Sequence, residues 1–259
     1  MAPLPPTDMM VMPLALQQQF TMMQIVPILL TLSFGLWVAN KHRTLVPIWL
    51  ILSGGVAYLI EPIMTVVGLI WYPPQGMVSV FGAMGRPVPL FGFLAYAWFL
   101  GGVTVFVFDR VSKGMTVRQI MILYAILVVV EAGLEIPGLH MNVFQYYGNQ
   151  PFVFMKLPLI FPCMNGAVPI VAGSLAWKLL PYVRPVLRPL MIHLVAVVNA
   201  MVMSGAGFVS YFALNNSAGT VLVHVAGSVT IATAACIVYG AALLVATDSR
   251  PFIRRAAAA

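Results

Sequence analysis

The sequence predicts an all-α integral membrane protein: a polytopic bundle of seven transmembrane helices, N-terminus outside and C-terminus cytoplasmic. Three observations carry this. Apolar residues make up 61% of the chain and charged residues 7%, whereas a soluble domain is about a quarter charged. The apolar residues gather into seven runs, each long enough to cross a hydrocarbon core about 30 Å thick. The basic residues fall between those runs in an alternation that fits one topology.

In order, the runs are 20–39, 46–70, 90–108, 117–134, 152–177, 190–214 and 221–246. Pro62, Pro158, Pro162 and Pro169 lie inside them; in lipid such residues are tolerated because neighbouring helices re-satisfy the freed backbone groups. Residues 1–19 lack the basic start of a signal peptide and read as an extracytoplasmic tail. Residues 20–247 form the transmembrane domain, and 248–259 a basic cytoplasmic tail. Lys41 and Arg43 follow the first run; Arg110, Lys113 and Arg118 the third; Lys178, Arg184 and Arg188 the fifth; Arg250, Arg254 and Arg255 the seventh. Only Arg86 and Lys156 fall towards the other side. The basic side is cytoplasmic by the positive-inside rule. The net charge of +7 therefore reports topology, not a nucleic-acid partner.

Two outer connections, 71–89 and 135–151, are long and rich in aromatics, Pro and Gly. Trp71, Tyr72, Tyr146 and Tyr147 suit an interface. The two connections echo one another: Glu61-Pro62, Trp71-Tyr72 and Arg86-Pro87 parallel Glu135-Ile136-Pro137, Tyr146-Tyr147 and Gln150-Pro151. This is the pattern expected of two related hairpins.

Of six acids, Asp8 lies in the first tail. Asp109 beside Arg110 and Asp248 beside Arg250 read as solvated charge pairs at helix ends. Glu61, Glu131 and Glu135 remain. Glu61 sits about 14 Å below the outer end of the second run, at 1.5 Å per residue. Glu131 and Glu135, four apart, share a helix face. Intramembrane carboxyls are costly and usually face a cavity or pathway. Tyr96, Trp98, Asn165, Asn199, Ser204 and His224 fall at comparable depths, and Lys156 is near enough to pair with an acid. Each of these has a plainer reading as a packing or helix-gluing residue. His193, near the cytoplasmic end, reads as interfacial.

Desolvation disfavours the ionised form of a carboxyl, so an acid in an apolar pocket suits general-acid work. Aromatic faces attract cations. A proton donor, aromatic walls and excluded water are what acid-initiated cyclisation of an alkene or epoxide requires, with Glu61 as donor and Glu131, Glu135 or His224 taking the proton back. Trp71, Tyr72, Tyr96, Trp98, Tyr146, Asn165 and Asn199 are the candidate substrate contacts. No DDxxD motif, His cluster or Gly-rich phosphate loop is present, so no metal and no cofactor is expected. Cys163 and Cys236 lie in apolar runs without metal-type spacing.

In size, span number and the glutamate Glu61 on the second span, the chain resembles the integral-membrane terpene cyclases of meroterpenoid and indole-sesquiterpene pathways. The resemblance implies a cofactor-free enzyme acting on a lipid-soluble terpenoid, with a second acid late in the chain. The seventh run has no Asp or Glu; His224, Glu131 or Glu135 would have to serve instead. Two other readings use the same acids: a small proton-coupled transporter and a lipid-binding membrane subunit. A retinal-type receptor is excluded by the absence of lysine from the last run.

Overall fold

The computed structural model describes residues 3–6, 9–216 and 218–246. The expected basic tail, Asp8 and Asp248 lie outside those residues. The chain is helical, and among the described residues seven helical segments are long and apolar enough to cross a membrane. Exposed Leu29, Leu30, Val129, Val197, Phe208, Phe212 and Leu243 cover the outside. So large an apolar surface suits lipid rather than water.

The first span starts earlier than the hydropathy predicts. Helix α1 (Leu14–Met23) takes in six residues assigned above to the tail, and α2 (Ile25–His42) continues it after a break at Gln24. The tail itself is anchored. Met12 is buried, its N–H donates to the Gln75 carbonyl at 2.8 Å, and the Trp71 indole donates to the Met9 carbonyl at 2.6 Å.

The second span is interrupted. Helix α3 (Val46–Ala57) passes into a 3₁₀ turn at Tyr58–Ile60 and then into α4 (Glu61–Val67). Pro62 explains the break, since it has no N–H to return to the Tyr58 carbonyl and its ring crowds the preceding turn. The third span is α5 (Leu90–Tyr96), a π-helical stretch at Ala97–Gly102, and α6 (Val103–Ser112). Spans two and three touch backbone to backbone there. A Cβ on Gly54 would lie 2.6 Å from the Gly101 nitrogen.

Helix α7 (Val117–His140) opens with a capping box from Thr116 and Gln119. It runs six residues beyond the expected end, so Glu135 is helical rather than in a loop. The fifth span, α8 (Ile160–Leu179), is central and packs against α6, α7, α9 and α10. Residues 152–159, expected in this span, instead form a tight hairpin; Pro158 lies in it, where its missing N–H is harmless. A 3₁₀ segment, Pro185–His193, leads into α9 (Leu194–Asn215), and α10 (Thr220–Ala246) closes the bundle.

The outer connections fold into small antiparallel pairs. Strand β1 (Ile70–Trp71) pairs with β4 (Gln145–Tyr146), β2 (Ser79–Ala83) with β3 (Arg86–Pro89), and β5 (Val153–Phe154) with β6 (Leu157–Pro158). The β1–β4 pair joins the two connections directly, with Ile70 opposite Tyr146.

At the basic end, Asp109 is not the solvated partner of Arg110. It is 2% exposed and is held by Lys41, by Lys113 at 2.5 Å and by His42 at 3.2 Å. Arg110 lies instead over the Phe106 ring.

Candidate functional site: an acid-lined cavity

The three intramembrane glutamates line one cavity of about 200 Å³. The device that places each is local. The break before Pro62 turns Glu61 inward at the first residue of α4. Glu131 and Glu135 follow one another around α7, and Pro137, which cannot donate to the Gly133 carbonyl, loosens that helix where it borders the cavity. The π turn begins directly after Tyr96, and turns of this kind gather at functional sites.

Glu61 accepts two phenol hydrogen bonds, from Tyr72 at 2.9 Å on one oxygen and from Tyr96 at 2.7 Å on the other. Glu131 accepts from the Asn165 amide at 2.6 Å, and the same amide reaches Glu135 at 3.4 Å. Glu135 accepts from Tyr146 at 2.7 Å, and through the Asn165 amide it shares a donor with Glu131. Two carboxylates sharing one donor on one helix face repel one another. Burial, and after it the charge on Glu61, holds the Tyr72 phenol well above its ordinary range; burial and Glu135 do the same for Tyr146.

The echo between the outer connections recurs in these contacts. Tyr72 is eleven residues after Glu61 and Tyr146 eleven after Glu135. Each glutamate is bonded by the tyrosine eleven residues on, in its own connection, and β1–β4 pairing brings the two connections together. Between them runs an aromatic wall: Tyr72 to Phe144 at 5.7 Å, Phe144 to Tyr146 at 6.1 Å, and Tyr146 stacked on Phe161 at 4.6 Å.

Trp98 also lines the cavity and donates to the Gln24 side chain at 2.6 Å. Gln24 is a site residue that the sequence reading passed over. Its signal was present, as a lone amide in an apolar run at the point where the first span breaks. Met23, Gly133 and Leu134 border the cavity and are exposed on the membrane-facing surface, so the cavity opens sideways between the first and fourth spans.

Four of the expected residues lie elsewhere. His224 bonds the Thr220 carbonyl of its own helix at 2.9 Å and meets the Phe152 ring edge-on at 4.9 Å. It does not line the cavity that holds the acids. Asn199 is fully buried and donates to the Ala57 carbonyl at 3.4 Å, tying α9 to the break in span two. Trp71 is engaged by Met9 and lies 4.9 Å from the Arg86 guanidinium. Lys156 donates to the Leu139 carbonyl at 3.4 Å rather than to an acid.

Comparison with protein-family models, with characterised proteins and with solved structures returns no match.

Proposed function

We propose that this protein is an integral-membrane cyclase or isomerase that protonates an alkene or epoxide of a lipid-soluble terpenoid and guides the resulting carbocation. The observation that carries the reading is the convergence of Glu61, Glu131 and Glu135 on one aromatic-walled cavity. We place the basic end in the cytoplasm, by the positive-inside rule, and the protein in a bacterial cytoplasmic membrane.

The hydrogen-bond pattern divides the acids differently from the sequence expectation, which made Glu61 the donor. The Glu131–Glu135 pair holds the proton and delivers it. The O–H bond breaks, a C–H bond forms on an alkene (or an O–H bond on an epoxide oxygen as its C–O bond breaks), and positive charge develops on carbon. A second alkene closes the ring. Glu61, with both oxygens already accepting, removes the final C–H proton, and that proton returns across the shared cavity to the pair. The faces of Tyr72, Phe144, Tyr146 and Phe161 lower the energy of the cation between these steps. A cavity of about 150 Å³ holds a benzene ring, so one of about 200 Å³ takes a prenyl terminus or one forming ring. The rest of the molecule lies through the lateral opening, in lipid.

The test is incubation of purified protein with a panel of prenylated aromatics and oligoprenyl epoxides in D₂O, with products read by mass spectrometry. An isomer that has gained one deuterium on carbon (or at an exchangeable hydroxyl for an epoxide) is expected. Glu135→Gln should slow it by at least about 100-fold. Product formation undiminished in both Glu131→Gln and Glu135→Gln would refute the assignment of the pair.

A further inference from the structure

At the opposite end of the bundle from the glutamates, a second cleft of about 620 Å³ lies between the first span and the segment leading into the sixth. Two arginines from distant parts of the sequence border it. Arg43 caps α2 in a left-handed conformation (φ 49°), and Arg188 lies in the 3₁₀ segment Pro185–His193. Among the described residues every salt bridge is made to Asp109, and neither arginine takes part. The Nε of Arg188 is buried and has no hydrogen-bond partner among those residues, a state that costs free energy unless an acceptor arrives. Asn40 and Thr44 add polar groups at the same level. The remaining lining is apolar: Trp49 behind, and Leu36 and Leu45, both widely exposed on the outer surface.

A pair of guanidiniums without a carboxylate is a site for a phosphate, which each can bind through two parallel N–H donors. An apolar flank continuous with the lipid-facing surface is a place for an acyl chain. Basic pockets between helices near the cytoplasmic surface suit anionic headgroups. We infer that the cleft between Arg43 and Arg188 binds one anionic phospholipid, its phosphate on the two arginines and an acyl chain along Leu36 and Leu45. Such a lipid would clamp the first span to the segment before the sixth. The inference does not depend on the chemistry of the glutamate cavity.

Native mass spectrometry of the full-length protein tests it, with phosphatidylglycerol or phosphatidylcholine added in detergent. Phosphatidylglycerol should bind more tightly, and Arg43→Gln/Arg188→Gln should remove about 30-fold of that affinity, roughly 1 kcal/mol for each arginine. Arg110→Gln/Arg118→Gln, at a different basic loop, should leave the preference intact. Equal binding of the two lipids by the unaltered protein would overturn the proposal whether or not the double variant folds. So would loss of the preference in the Arg110/Arg118 control, which would mean diffuse charge. Displacement of the lipid by millimolar inorganic phosphate would overturn the acyl-chain part and leave a plain anion site.

Discussion

The division of labour among the acids rests on Glu61 being an ionised acceptor, and its bond from Tyr96 makes that measurable. The bond is 2.7 Å long and joins span three to span two. Hydrogen bonds to a charged partner contribute about 1.5–3 kcal/mol, whereas neutral side-chain bonds between membrane helices average about 0.6 kcal/mol. Tyr96→Phe removes the donor while keeping the ring, which meets Tyr58 at 4.9 Å. Glu61→Met removes the acceptor at similar volume. A double-mutant cycle on the two, from unfolding titrations in mixed micelles followed by circular dichroism, isolates the pair. The expected coupling is about 1.5–3 kcal/mol, with Tyr96→Phe nearly silent once Glu61 is gone. A coupling at or below about 0.6 kcal/mol would mean a neutral Glu61, and the proton would then have to be assigned to it rather than to the Glu131–Glu135 pair.

Two further perturbations probe the frame around the cavity. Tyr72 and Tyr146 are held neutral above the ordinary phenol value near 10. The unfolded chain therefore releases these protons first as pH rises, and stability present below about pH 10 is lost above it, by up to about 1.4 kcal/mol per pH unit for each phenol. Unfolding titrations at pH values either side of 10 should show a shallower fall for Tyr72→Phe/Tyr146→Phe than for the unaltered protein; identical slopes would contradict the burial of these phenols. At the crossing of spans two and three, Gly101→Ala would put a methyl 2.7 Å from the Ile51 carbonyl oxygen and 2.8 Å from its Cα. Backbone atoms cannot step aside, so a loss of about 1–3 kcal/mol is expected. Gly240→Ala, with open space at that position, serves as the control, and equal effects of the two would refute the close approach.

The seven spans were legible because a bilayer imposes a length and a polarity that no soluble fold shares, and the three acids because each is an expensive exception to that polarity. The interruptions were not. Nothing in hydropathy separates the continuous helix expected over 46–70 from α3, a 3₁₀ turn and α4; only the missing N–H of Pro62 does, and membrane helices often absorb such a residue without breaking. The hairpin at 152–159 was mistaken for helix because Val153, Phe154 and Leu157 are as apolar as a span, although strand pairing in an outer connection uses the same residues. Asp109 misled in the opposite direction. Its neighbour in sequence, Arg110, lies over the Phe106 ring, and two of its three partners, Lys41 and His42, come from a different span. His224 was raised by its depth, but depth fixes only one coordinate, and its position around the bundle axis was beyond reach without knowing the order of the helices.

The repeated spacing is the part of the site that sequence and structure explain together. An eleven-residue offset from glutamate to tyrosine spans the end of a helix and a two-residue strand, so each connection brings its own phenol back over its own acid. Pairing β1 with β4 then fixes the two returns against each other, and one aromatic wall spans both. The acids nevertheless differ, because the halves diverge at the next position: Glu61 meets a second phenol, Tyr96, while Glu135 meets a second acid, Glu131. On the proposed reading, two like scaffolds with one difference in the partners of the acid supply an acceptor site and a proton-holding site across a shared cavity. Leu50, Val105, Val107 and Phe108, with no exposed surface, fill the bundle towards the basic end. That packing is why the proposal assigns the acids to chemistry on a bound molecule rather than to a path between the two faces.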